Sequence, residues 1–232
     1  MREIVFDTET TGLDPYQGDR LVEIGCVELV NGFPTGNSFH YYLNPQRDMP
    51  DAACQVHGLS AEFLKDKPFF ADICEEFLAF VGDAPLIAHN AMFDLGFINA
   101  ELERCKKTVL QRERLIDTLM LARRRYPAGP NKLDDLCGRF SIDLSRRTKH
   151  GALLDAELLA EVYVELTGKR QARLGLLDTT VSATQQIVVT IRVRPTPLPP
   201  RISDAEREAH LAFVSTLGDK AIWKDYGVGA AA

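Results

Sequence analysis

The chain has 232 residues, 45% of them hydrophobic and 26% charged, and carries a formal net charge of −6. These are ordinary globular proportions, but the charge is wrong for a protein that grips nucleic acid through phosphate contacts alone. The five cysteines, Cys26, Cys54, Cys74, Cys105 and Cys137, are widely spaced with no Cys-x-x-Cys pair, which argues against a zinc cluster and a disulfide framework and fits a reducing cytoplasm.

Residues 2–7 read as a buried strand that runs into Asp7-Thr8-Glu9, with nothing resembling a signal peptide before it. Residues 20–30 read as a second strand. Asn31-Gly32 is a hairpin turn signal, so a third strand over about 38–43 pairs antiparallel with it. Ile73, Phe77, Phe80 and Val81 have helical spacing across 71–81. Residues 85–88 form a short buried strand. A helix over 91–105 follows, with Phe93, Phe97, Ile98 and Leu102 on one side. Shorter helices are expected over 119–125, stopping before Pro127, and over 131–140. The last strong element of this region is a helix over 152–166, with Gly168 as its stop. Strands first linked by a hairpin and then alternating with helices give a mixed α/β sheet.

Beyond residue 169 the composition changes. Residues 187–193 are strand-like and need to be covered by something. Residues 195–200 form a stiff Pro-rich linker, and Ser203-Asp204-Ala205-Glu206 is a capping box that opens a helix to about residue 217. The expected organisation is a domain over 1–170, a linker over 171–202 and an extended tail over 203–232. No apolar run is long enough to cross a bilayer, and the expected location is the cytoplasm. The acid excess lies in residues 1–170, with 20 Lys and Arg against 27 Asp and Glu; the remainder has 7 against 6. If the acidic part acts on nucleic acid, metal ions must do much of the holding.

Asp7 and Glu9 point to one face, because strand side chains alternate. Two same-facing carboxylates on a buried strand are expensive unless a cation neutralises them. Asp94 follows the fourth strand, and His150 precedes Asp155 by five residues. Singly, each has a bland reading: a solvated turn, a helix-start acid favoured by the dipole, a polar-face residue. Together they suit phosphodiester hydrolysis, in which two divalent ions clamped by carboxylates neutralise the phosphoryl oxygens and supply a nucleophile. Oxygen-only ligands favour Mg²⁺ or Mn²⁺. His150, at a spacing that keeps it off the face of Asp155, belongs on the loop before the helix as a general base.

Asp7-Thr-Glu9-Thr-Thr-Gly12, His89-Asn-Ala-Met-Phe-Asp94 and His150-x-x-x-x-Asp155 are similar to the three motifs of the DEDDh 3′–5′ exonucleases. The flanking Val56-His57-Gly58-Leu59-Ser60 and Leu166-Thr167-Gly168 resemble the proofreading branch of that family, the epsilon subunits of bacterial DNA polymerase III. The resemblance implies an RNase H-like fold with a five-stranded mixed sheet. It further implies that Asp7 bridges two metal ions, Glu9 and Asp155 complete one site, and Asp94 holds the other largely through water. His150 becomes the base that activates the attacking water. Thr10, His57 and Phe93 line the pocket for the 3′-terminal nucleotide of a single-stranded DNA end, with His89 in support; the bland alternative for His57 is a loop histidine packed on Leu59.

The tail resembles partner-binding segments. Gln171, Leu174, Leu176 and Leu177 look like a sliding-clamp (beta) peptide, and residues 203–226, with Leu211, Val214 and Trp223 as apolar anchors, resemble the segment that docks on the polymerase III alpha subunit. A helix folded back on its own domain is the plainer reading of that tail. Two other functions stay open: a free-standing exonuclease trimming RNA or DNA ends, and a structural subunit of a polymerase–clamp assembly without catalysis.

Overall fold

The computed structural model describes residues 1–145, 147, 149–169, 202–218 and 222–223. In the first unit the chain forms, in order, β1 (Arg2–Thr10), β2 (Leu21–Val30), β3 (Phe33–Tyr42), α1 (Asp51–His57), α2 (Ala61–Leu64), α3 (Phe70–Val81), β4 (Leu86–Ala88), α4 (Ala91–Arg104), β5 (Leu115–Asp117), α5 (Thr118–Arg125), α6 (Leu133–Phe140) and α7 (Ala152–Thr167). The second unit contains α8 (Asp204–Thr216).

The five strands lie in the order β3-β2-β1-β4-β5. β1 pairs antiparallel with β2 and parallel with β4, β2 pairs antiparallel with β3, and β4 pairs parallel with β5. Asn31 and Gly32 both take positive φ, 55° and 83°, the backbone that a two-residue hairpin needs. The mixed sheet follows from the connections: a tight turn can only reverse the chain, whereas α3 and α4 carry it across to parallel neighbours.

Both faces are covered. Ile4 and Phe6 of β1, with Ile24 and Cys26 of β2, pack against Phe77 of α3 and Leu95 and Ile98 of α4. Val5 and Ile87 point the other way onto Ala156, Leu159, Ala160 and Tyr163 of α7. A further cluster ties α7 to α5 and α6 through Ala122, Leu136, Leu158 and Val162. Burial on both faces explains why β1 reads as a continuous apolar run rather than an alternation.

Three sequence expectations need correction. β1 does not end at Asp7 but continues to Thr10, because Asp7, Thr8 and Glu9 keep pairing with Gly25, Ile24 and Glu23 until the register shifts at Glu9/Thr10. β3 begins at Phe33 rather than near residue 38. α1, α2 and β5 had no counterpart in the reading: they are seven, four and three residues long, too brief for either period to register. Of the five cysteines, Cys26, Cys74 and Cys137 are buried and Cys54 and Cys105 half-buried, all as free thiols. The linker, the strand-like 187–193 and the clamp-peptide residues Gln171, Leu174, Leu176 and Leu177 lie outside the described residues. Among the described residues no helix is long and apolar enough to cross a membrane.

Candidate active site

The site is assembled at one edge of the β1 and α7 contact. Glu9 faces Glu23 across the β1–β2 ladder, and Asp7 faces Gly25. The missing side chain of Gly25 is essential there: a Cβ would lie 2.3 Å from the backbone nitrogen of Leu153 and 2.4 Å from the Ala152 carbonyl carbon. The first turn of α7 therefore rests directly on the sheet beside Asp7. The far end of α7 is also tied to β1, where Tyr163 donates to Glu3 Oε1 at 2.7 Å and Lys169 Nζ reaches Glu3 Oε2 at 2.6 Å. Held at both ends, the helix brings Asp155 to Glu9.

Asp94 arrives from the other side. Asn90 takes a left-handed conformation (φ 69°) between β4 and α4, and its N–H donates to Asp117 Oδ1 at 3.2 Å. Asp94 then sits buried in the first turn of α4 and accepts a 2.7 Å hydrogen bond from the Thr8 hydroxyl. His150 lies on the loop before α7, with its side chain 48% exposed. Glu9, His150 and Asp155 each offer a ligand atom, and these atoms lie within 4.8 Å of one another. The structure thus gathers Asp7, Glu9, Asp94, His150 and Asp155 around one cleft of about 660 Å³, also lined by His89, Asn90, Phe93, Arg123, Asn131, Lys132 and Arg147.

The electrostatics are those of a site short of positive charge. Burial, then the neighbouring Asp94, Glu9 and Asp155, holds the Asp7 carboxyl well above its ordinary range. Burial and Asp155 push Glu9 up to about 8, against a smaller opposing pull from Arg147. Burial also pushes Asp94 up to about 7, although the Thr8 hydroxyl bond favours its ionised form. Asp7, Glu9 and Asp94, raised by burial and by one another, form with Asp155 and one imidazole a mainly oxygen donor set that fits divalent cations.

The supporting residues divide. Phe93 and His89 line the cleft. His89 Nδ1 lies 2.9 Å from the Thr118 hydroxyl, which itself donates to the Ala88 carbonyl at 3.1 Å. His89 Nε2 is buried without a hydrogen-bond partner. Thr10 and His57 are not among the lining residues. The Thr10 hydroxyl donates to the Gly12 carbonyl at 2.6 Å. His57 is buried with Nδ1 accepting from Leu59 N–H at 3.0 Å and Nε2 unpartnered, and burial lowers its basicity.

Glu23, Arg123, Lys132 and Arg147 were not foreseen. Glu23 is buried behind Glu9 and bonded to His40 Nε2 at 2.7 Å; its signal was an acid inside an otherwise apolar strand. The three cations left no pattern, since only the fold brings them to one cleft.

In the second unit Ser203 caps α8 as expected, accepting from Glu206 N–H at 3.3 Å while its own N–H donates to Glu206 Oε2 at 2.9 Å. Leu211 and Trp223 are exposed, Val214 is buried, and the Trp223 ring stands edge-on to His210 at 5.6 Å.

Comparison with known proteins points the same way. A family model described as exonuclease matches residues 4–163. DNA polymerase III subunit epsilon of Rickettsia felis is 48% identical over 229 residues, covering 94% of this chain and 97% of that protein. The Escherichia coli K12 subunit of the same name is 47% identical over 174 residues, 72% of each chain. Among solved structures, exonuclease X in complex with 5′-overhanging duplex DNA is 25% identical with a TM-score of 0.54, covering 72% of this chain and 90% of that one. The nuclease domain of 3′hExo, a DEDDh family member bound to rAMP, shares the RNase H-like fold at 15% identity, with a TM-score of 0.62 over 72% of this chain and 92% of that one. The chain belongs to the exonuclease family, in its DEDDh class and among the epsilon subunits of DNA polymerase III.

Proposed function

We propose that this 3′–5′ exonuclease hydrolyses the 3′-terminal phosphodiester of a DNA strand, as the proofreading subunit of a replicative polymerase, with Asp7, Glu9, Asp94 and Asp155 holding two divalent ions. The observation that carries the reading is the buried carboxylate set itself: three of its acids are pushed toward protonation, and Glu9, Asp155 and His150 converge within 4.8 Å. Mg²⁺ or Mn²⁺ bound there supplies charge neutralisation for the phosphoryl oxygens and a water of lowered pKa.

The chain's own residues do the rest. His150, exposed on its loop and beside Asp155, takes the proton of the attacking water. Phe93 offers its ring to the terminal base, a contact that any base can make. His89, a lining residue braced by the Thr118 hydroxyl, supports the pocket for the terminal nucleotide. Arg123 and Lys132 give the cleft positive side chains for strand phosphates. Thr10 and His57 lie outside the lining and are assigned to the surroundings of the terminal nucleotide on sequence pattern alone. The products are a nucleoside monophosphate and a strand shorter by one residue.

The polymerase partnership follows the relatives' printed name. Contact with its alpha subunit is assigned to α8 and Trp223: Leu211, Phe213, Leu217, Ile222 and Trp223 are all exposed large apolar residues, the kind that anchor interfaces. The sliding clamp (beta) is assigned to Gln171, Leu174, Leu176 and Leu177 on sequence pattern alone. Co-elution of the chain with alpha subunit and with clamp, compared with the chain lacking residues 178–232, tests both. Loss of alpha binding with clamp binding retained is the expected result, and alpha binding by the shortened chain refutes the assignment.

A further inference from the structure

Arg147 lines the cleft, and the reaction above does not use it. Its side chain is only 9% exposed. Nε donates to Asp155 Oδ1 at 2.5 Å and Nη2 to Asp155 Oδ2 at 2.8 Å, a fork on both carboxylate oxygens. Nη2 also lies 2.7 Å from His150 Nδ1, and Nη1 is bonded to Asp134 Oδ1. One guanidinium therefore ties together the acid at the start of α7, the histidine of the loop and the first turn of α6.

Both Asp155 oxygens are engaged by this fork, and they are the atoms a metal ion needs. A guanidinium does not deprotonate in a protein, so it cannot yield by losing charge and has to move. Asp134, half exposed on the rim, gives it somewhere to remain. We propose that Arg147 is an internal counter-ion: in the metal-free protein it occupies Asp155 and holds His150, and an entering divalent cation displaces it onto Asp134 and the cleft. It is a positioning residue, acting through Asp155 and His150. The inference rests on the reading of Asp155 as a metal ligand.

The competing explanation is an ion pair that merely fastens the loop to α7. The two differ in sign. Removing a fastening loosens the metal site, whereas removing a competing cation of like charge tightens it.

Isothermal titration of the full chain with Mn²⁺ alone, comparing the unaltered protein with Arg147→Ala, reads that sign directly. The proposal predicts tighter binding by Arg147→Ala, by roughly 5- to 100-fold, the usual range of coupling between two ligands. Equal or weaker binding by a folded Arg147→Ala overturns it. A second measurement needs no destabilised variant. The Arg147 Nε–H resonance, assigned by its absence in Arg147→Lys, should be protected from solvent exchange without metal and become fast-exchanging when Mg²⁺ saturates the chain. A resonance unchanged at saturation overturns the proposal. If the unaltered chain takes up neither ion, the metal reading itself fails and the counter-ion role falls with it.

Discussion

Gly25 stands directly opposite Asp7 on the neighbouring strand, and the Cβ it lacks would fall 2.3 Å from the backbone nitrogen of Leu153. That near-contact sets how closely the N-terminus of α7, and with it Asp155, approaches the carboxylates of β1. In Gly25→Ala the helix must lift, because the opposing atoms are backbone and have no rotamer to escape into. A destabilisation of about 1–3 kcal/mol or more is expected for such overpacking, together with weaker Mn²⁺ binding, measured by denaturant titration and calorimetry. Unchanged metal affinity would show that this contact does not position Asp155.

Asp7 is half-buried among like charges that hold its carboxyl above the ordinary range, so it should harm the metal-free fold while serving the reaction. Asp7→Asn is expected to raise the melting temperature without metal and to reduce nucleotide release by more than about 100-fold, the upper loss seen when only a ligand's supporting partner is removed. A melting scan in EDTA and a timed digestion with Mg²⁺ test the two halves separately.

Stability without metal should depend on pH through the same group of acids. In the unfolded chain Glu9 and Asp94 ionise near their ordinary values of 4.5 and 3.8; in the folded protein Glu9 rises to about 8 and Asp94 to about 7. Between those limits the folded state binds more protons than the unfolded one, so its stability falls as pH rises. Below about pH 4 both states are protonated and above about pH 8 both are ionised, and the contribution levels off at each end. The melting temperature in EDTA should therefore decline from pH 5 to pH 8. Saturating Mg²⁺ should remove most of that decline, since the ion takes the place of the protons.

Burial pushes Asp94 up to about 7, and the buried hydrogen bond from the Thr8 hydroxyl works against that rise. Thr8→Val keeps the shape and removes the donor. Asp94 should then retain its proton to higher pH, and Mg²⁺ binding at pH 7 should weaken several-fold, by about the 1 kcal/mol typical of one hydrogen bond. Repeating the titration at pH 9 should close most of the gap; a gap independent of pH would point to a packing defect instead.

Much of this site is readable along the chain. Asp7 and Glu9 share a face because a strand repeats every two residues, Asp94 follows the short apolar strand β4, and Asp155 lies beside the apolar stripe of Leu154, Leu158, Leu159 and Val162. The spacing of five keeps His150 off the helical face of Asp155. Glu23 carried a weaker signal of the same kind. Arg147 carried none: a guanidinium on a loop means little until the fold lays it across Asp155 and His150. β5 was too short for any periodicity, yet it places Asp117, whose carboxylate accepts from the Leu119 and Asn90 N–H groups and so organises the wall that holds His89. Thr10 and His57 lie outside the residues that line the cleft, a placement that the local sequence around them does not reveal.

The central claim is that the clustered carboxylates hold divalent ions that cleave a strand from its 3′ end. Digestion of a primer with a mispaired 3′ terminus, labelled at its 5′ end and followed with Mg²⁺ and with EDTA, tests it most directly. The account predicts stepwise shortening and nucleoside monophosphate release with Mg²⁺, and none in EDTA or in Asp155→Asn. Digestion that persists in EDTA, or in a folded Asp155→Asn chain at the unaltered rate, would contradict it.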